Sequence, residues 1–247
     1  TPFYIACENG HIEIVKLLLN NSRIDINQGT NDGATPFYSV CQNGNTEIVK
    51  LLLDKVDLNK ANNFGESPFF IACYKGQIEV VKLLLKNDGI DINKSLNTGA
   101  TPLGIACFNN QIEVVRILLN EKNVDVNKAN KNGATPFWIA CSFGLVEIVK
   151  LLLSNMKVEI NKVNHLGEAP LLIACQSGHI EVVKLLIADK RVDINQTNKN
   201  GQTAFYIACF FGHLEIVELL LNDDRININR VDTESGRTPF YIACYKG

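Results

Sequence analysis

The sequence predicts an all-α repeat solenoid, built of stacked helix-turn-helix units joined by short β-hairpin or turn fingers. Three observations carry that prediction. Cys7, Cys41, Cys73, Cys107, Cys141, Cys175, Cys209 and Cys244 stand 34, 32, 34, 34, 34, 34 and 35 residues apart, and a fixed period of about 20–50 residues marks a stacked-repeat architecture. Each cysteine up to Cys209 sits between a Thr-Pro-type opening and an Ile/Val/Leu-rich octet, as in the stretch from Thr135 to Leu153. The octets repeat at helical spacing but are too short to stand alone in water, so each needs a neighbour to cover its apolar side.

The period divides the chain into units 1–34, 35–66, 67–100, 101–134, 135–168, 169–202 and 203–237, with a partial unit 238–247, all of one solenoid. A content of 46% hydrophobic and 20% charged residues is ordinary for a folded chain. The net charge of -2 argues against a basic nucleic-acid binder. No apolar run approaches the roughly 18 residues of a membrane span, so no membrane insertion is expected. No signal peptide is expected from the residues read, whose one methionine is Met156; the chain is expected to be a piece of a longer protein, intracellular and cytoplasmic, and monomeric. The eight cysteines do not predict disulfides. Equivalent positions on packed helices lie roughly 8–10 Å apart, beyond the roughly 7 Å Cα separation that a disulfide spans. A file of buried free thiols, suited to a reducing compartment, is expected instead.

Taken in order, each unit opens with a capping residue and usually proline: Thr1-Pro2, Thr35-Pro36, Ser67-Pro68, Thr101-Pro102, Thr135-Pro136, Ala169-Pro170, Thr203-Ala204 and Thr238-Pro239. The hydroxyl accepts from an orphan helix amide, and proline needs no donor at the first helical position. The first helix ends at Gly10 and its equivalents, with Asn110 as the substitute in the fourth unit. In the second helix, Ile12, Val15, Leu18 and Leu19 form the predicted apolar stripe. Glu13 and Lys16, with Glu47/Lys50, Glu79/Lys82, Glu113/Arg116, Glu147/Lys150 and Glu181/Lys184, form a solvated paired face. A polar stretch ending at Gly33 and its equivalents is the finger. Two length changes, a loss of two residues after Leu53 and a gain of one near Asp232–Gly236, fall in loops and are expected to cost little.

These elements together resemble the ankyrin repeat, whose opening reads T-P-L-H-x-A, and the resemblance covers the whole chain. The histidine slot of that opening holds Tyr4, Tyr38, Phe70, Gly104, Trp138, Leu172, Tyr206 and Tyr241. Aromatic packing is expected to replace the histidine's bond to the adjacent turn. Most units are one residue longer than the family's length of about 33, and neither end carries a polar capping repeat.

The resemblance implies a binding module that holds another protein or peptide on its finger tips and on the concave face of its first helices. Among those positions, the candidate partner-binding residues are Phe64, Tyr74, Phe108, Phe143, His165, Leu166, Phe210, Phe211 and Tyr245. The framework recurs almost letter for letter; these positions do not, and aromatics on a scaffold surface are what interface hot spots are made of. A basic row of Lys60, Lys94, Lys128, Lys162 and Arg230 is expected to be neutralised by Asp25, Asp57, Asp91, Asp125, Glu159 and Asp193, three residues before its slots. His11, His179 and His213 share one slot after the turn glycine and read as framework. No nucleophile elbow, phosphate loop or metal cluster is present, so no catalytic, cofactor or metal site is expected. The alternative function is a structural spacer or elastic segment of a larger protein.

Overall fold

In the computed structural model, residues 1–246 are described; Gly247 and the side chain of Lys246, the last two positions of the partial eighth unit, lie outside. The contacts divide the chain into two compact halves, Thr1–Asp125 and Val126–Gly247. The first half holds α1 (Pro2–Glu8), α2 (Ile12–Leu19), α3 (Pro36–Asn43), α4 (Thr46–Leu52), α5 (Pro68–Lys75), α6 (Ile78–Leu85), α7 (Pro102–Phe108) and α8 (Ile112–Leu119). Its odd-numbered helices pack in one row and its even-numbered helices in another. The second half repeats the plan with α9 (Pro136–Ser142), α10 (Val146–Ser154), α11 (Pro170–Gln176), α12 (Ile180–Ala188), α13 (Ala204–Phe211), α14 (Leu214–Leu221) and α15 (Pro239–Lys246). The fold class is therefore an all-α repeat solenoid.

Capping follows the sequence closely. The hydroxyls of Thr1, Thr35, Ser67, Thr101, Thr135 and Thr203 each accept from the amide three residues on, while Ala169 leaves α11 uncapped. Asn110 takes the left-handed turn at φ 54°, in the place where Gly10 and Gly44 have φ 73° and 75°. The core of each half is a file of first-helix aromatics and leucines (Phe3, Phe37, Phe69 and Leu103; then Phe137, Leu171 and Phe205) beside the buried thiols. Seven cysteines are free and buried; Cys244 is exposed.

The second-helix stripe differs from the one expected. Ile48, Val49 and Leu52 of α4 are fully buried, as are Val80, Val81 and Leu84 of α6. The stripe therefore runs through the equivalents of Ile14, Val15 and Leu18, while the Ile12 and Leu19 positions are only partly covered. Ile14 itself is 48% exposed although its counterpart Ile48 is 1% exposed; this position faces the preceding repeat, and the described residues hold no repeat before α2.

The fingers are turns. In four of them an asparagine Oδ1 at the start accepts from two amides further on: Asn62 from Phe64 and Glu66, Asn130 from Asn132 and Ala134, Asn164 from Leu166 and Glu168, and Asn198 from Asn200 and Gln202. The one bridge of β type among the described residues joins Thr197 and Thr203. Successive fingers are tied by backbone bonds, Asn63 to Asp32 and Asn97 to Phe64 in the first half, His165 to Asn132 and Thr233 to Asn200 in the second.

Candidate partner-binding face

The end of each first helix is where the backbone is consumed and the side chains are released. The residue after the turn glycine reaches back to a carbonyl near the end of the preceding first helix. Asn45 Nδ2 donates to Cys7 O (3.2 Å), Gln77 Nε2 to Gln42 O (2.9 Å) and Gln111 Nε2 to Tyr74 O (3.3 Å). In the second half His179 Nε2 lies 3.0 Å from Ser142 O, and His213 Nε2 3.1 Å from Gln176 O. A carbonyl only accepts, so Nε2 carries the proton in both. These histidines are framework, with a defined job: they satisfy helix-end carbonyls that otherwise lack partners.

The aromatics in the histidine slot do more than pack, contrary to expectation. The Tyr38 hydroxyl donates to Glu66 Oε2 (2.7 Å), Trp138 Nε1 to the Glu168 carbonyl (3.0 Å) and the Tyr206 hydroxyl to Asp232 Oδ2 (2.9 Å). Burial first, and then the neighbouring carboxylate, raises both tyrosine hydroxyls above their ordinary pKa. A polar bond from this slot is thus made with different chemistry, to the finger of the same unit.

At the basic row, Asp25, Asp57, Asp91 and Asp193 make no direct ion pair with it among the described residues; each accepts from the amide two residues on, closing its own turn. Lys94 instead donates to the Asn59 carbonyl, while Glu159 and Lys162 do pair, at 3.1 Å. The Glu/Lys pairs of the second helices form as expected, from Lys16–Glu13 to Lys184–Glu181, all on an exposed face where such pairs are worth little.

The candidate residues fall as follows. In the first half Phe64 stands on a finger tip, 61% exposed, and Phe108 at the end of α7 is 50% exposed. Tyr74 is half-buried, with the Lys75 ammonium 5.0 Å from its ring. In the second half Phe143 (50%), Leu166 (64%), Phe211 (48%) and Tyr245 (67%) are similarly open. His165 is exposed on its finger, and Phe210 is half-buried. Phe210 and Phe211 meet edge to face at 5.1 Å, and with Leu166 they line an open groove of about 370 Å³ between fingers and first helices. Tyr245 is not in that groove; it stacks on Tyr241 at 6.3 Å, with the Arg237 guanidinium over both rings. The groove also draws in Glu168, Lys199 and Ile207, none of which a search for irregular aromatics selects.

A family model described as ankyrin repeats (3 copies) matches residues 1–62, 55–130, 103–198 and 171–247. The chain is an ankyrin-repeat protein. Comparison with curated proteins gave no match. Ankyrin repeats generally mediate protein–protein interaction, and the family is typically non-enzymatic. Among the described residues of this ankyrin array, no three His, Cys, Asp or Glu side chains are placed to hold a metal ion. Nor is any described helix long and apolar enough to cross a membrane.

Proposed function

We propose that this ankyrin array is a non-enzymatic recognition scaffold that binds a partner protein or peptide through the ends of its first helices and its finger tips. The observation that carries the reading is the exposure of Phe64, Phe108, Phe143, Leu166, Phe211 and Tyr245, each about half or more accessible. Apolar groups this large on a surface mark contact sites. They occupy irregular positions of a framework that is otherwise regular, so the fold does not call for them. The buried free thiols support an intracellular setting.

The test is affinity capture with the wild-type chain and a Phe108→Ser, Phe143→Ser, Phe210→Ser, Phe211→Ser variant, both verified as helical by circular dichroism. A protein retained by the wild type alone, and then bound directly when purified, is the expected result. Equal retention by both would overturn the helix-end site in favour of the finger tips or the outer face. No specific partner for either would favour a spacer role.

A further inference from the structure

The repeats act as controls for one another at the position between the finger glycine and the helix cap. That slot holds Ala34, Glu66, Ala100, Ala134, Glu168, Gln202 and Arg237. The backbone amide there closes the finger whatever the side chain: Ala34 donates to Thr30 Oγ1, Ala134 to Asn130 Oδ1 and Glu168 to Asn164 Oδ1. The finger therefore closes with or without a carboxylate at this point.

The two glutamates differ in what engages them. Glu66 takes two donors on Oε2, from the Tyr38 hydroxyl and the Asn62 amide. At the fifth repeat Trp138 replaces the tyrosine, and its indole donates to the Glu168 carbonyl rather than to the carboxylate. Glu168 is left with the Asn164 amide on Oε2 (2.7 Å) and, among the described residues, no donor on Oε1 and no cation at ion-pair distance. It is half-buried and lines the groove whose apolar surface is Leu166, Ile207, Phe210 and Phe211.

We propose that this groove receives a partner segment through an arginine side chain, whose guanidinium pairs with Glu168 beside the Phe210 ring while its stem lies on the apolar surface. The inference rests on the recognition reading above and adds the chemistry of the occupant. A planar guanidinium matches a carboxylate in two-point geometry and stacks on aromatic faces. The half-buried carboxylate is screened less than an exposed charge, which makes it the anchor. Lys199, the other charge on the groove, is exposed on its finger tip and acts as a solvated rim charge that disfavours a second basic residue beside the first.

The experiment is selection of a random heptapeptide display library on the whole chain, followed by fluorescence polarisation of the enriched peptide as a labelled synthetic probe. Peptides with one arginine flanked by apolar residues are expected. Replacing that arginine by glutamine, or making Glu168→Ala in the protein, should each weaken binding by about tenfold or more. Glu168→Ala places the side chain that three other repeats carry at this slot, so folding is not expected to suffer, and Glu181→Gln on the outer face serves as a neutral control. Enrichment of acidic peptides whose binding is lost with Lys199→Gln and kept with Glu168→Ala would overturn the arginine assignment while leaving the recognition face standing. Arginine peptides that bind Phe210→Ser, Phe211→Ser as well as wild type would sink the face itself. Absence of any enriched peptide would overturn the arginine proposal.

Discussion

Asp232 is the residue at which burial and hydrogen bonding compete most openly. It is 4% exposed, and burial alone would raise its carboxyl. The Ser235 amide and hydroxyl, the Tyr206 hydroxyl and the Glu234 amide outweigh that effect and bring the group down to about 2. A carboxyl whose folded pKa lies below its unfolded value, about 3.9, adds stability that is present above that value and lost as pH falls through the folded one. The expected outcome is a drop in urea midpoint between about pH 4 and pH 2 that is smaller in Asp232→Asn. Tyr206→Phe should cost about 1–3 kcal/mol at neutral pH, because it removes one donor from a buried charge. Unchanged midpoints in both variants would show that the one-residue insertion here is a solvated loop rather than a structural clamp.

At the scale of the element, the loops between repeats are joined by asparagine rungs. Asn161 Nδ2 donates to the Arg191 carbonyl (2.8 Å) while its Oδ1 accepts from the Asp193 amide (2.9 Å). Asn59, Asn93, Asn127 and Asn195 repeat the arrangement. Asn27 occupies the same slot, yet among the described residues its side chain makes no such bond; the loop after Leu53, which would supply the receiving carbonyl and amide, is two residues short. That deletion is not as costless as its loop position suggests. Asn161→Ala should lower stability by about 1–3 kcal/mol and Asn27→Ala by about 0.5 kcal/mol or less, read from urea unfolding; equal effects would discount the rungs. Helices, caps and the thiol file were legible from sequence because they rest on local rules of period, hydroxyl and glycine. The rungs and the Tyr38 and Tyr206 bonds were not, since they join residues about thirty apart: the rungs depend on how one repeat seats on the next, and the tyrosine bonds on how a finger folds back to the first helix of its own unit. The recurring asparagine was visible as a pattern, but its partners are main-chain groups, which leave no trace in sequence. For the candidate face, irregular aromatics such as Phe211 and Phe64 could be picked out as breaks in the pattern. Glu168 could not, because a glutamate between two framework residues looks like any solvated charge until its missing donor is seen.

For the molecule as a whole, the cysteine file makes a built-in reporter of where the array opens. Burial lifts the thiols: Cys7 is pushed up to about 12 and Cys209 to about 11, with Cys41, Cys73, Cys107 and Cys175 raised further. Attack on a disulfide reagent needs both a thiolate and access, so a buried thiol in a closed repeat is doubly protected. The native chain should therefore label at Cys244, the exposed thiol, while the seven buried ones stay unlabelled. In a repeat array each unit is held by its neighbours, and a unit covered on one side opens first. Ile5, Ile14 and Leu17 of the first repeat are 49%, 48% and 72% exposed, so its covering is incomplete. Mass spectrometry of peptides labelled at rising urea should then find Cys7 modified before Cys41 and Cys73. Simultaneous labelling of all seven would mean that each opening is global and that neighbour contacts are stronger than the exposed faces of α1 and α2 imply. Ordered labelling from Cys7 inward would give the repeat interfaces as separate energies, the quantity against which the cost of losing any one rung or aromatic bond is measured.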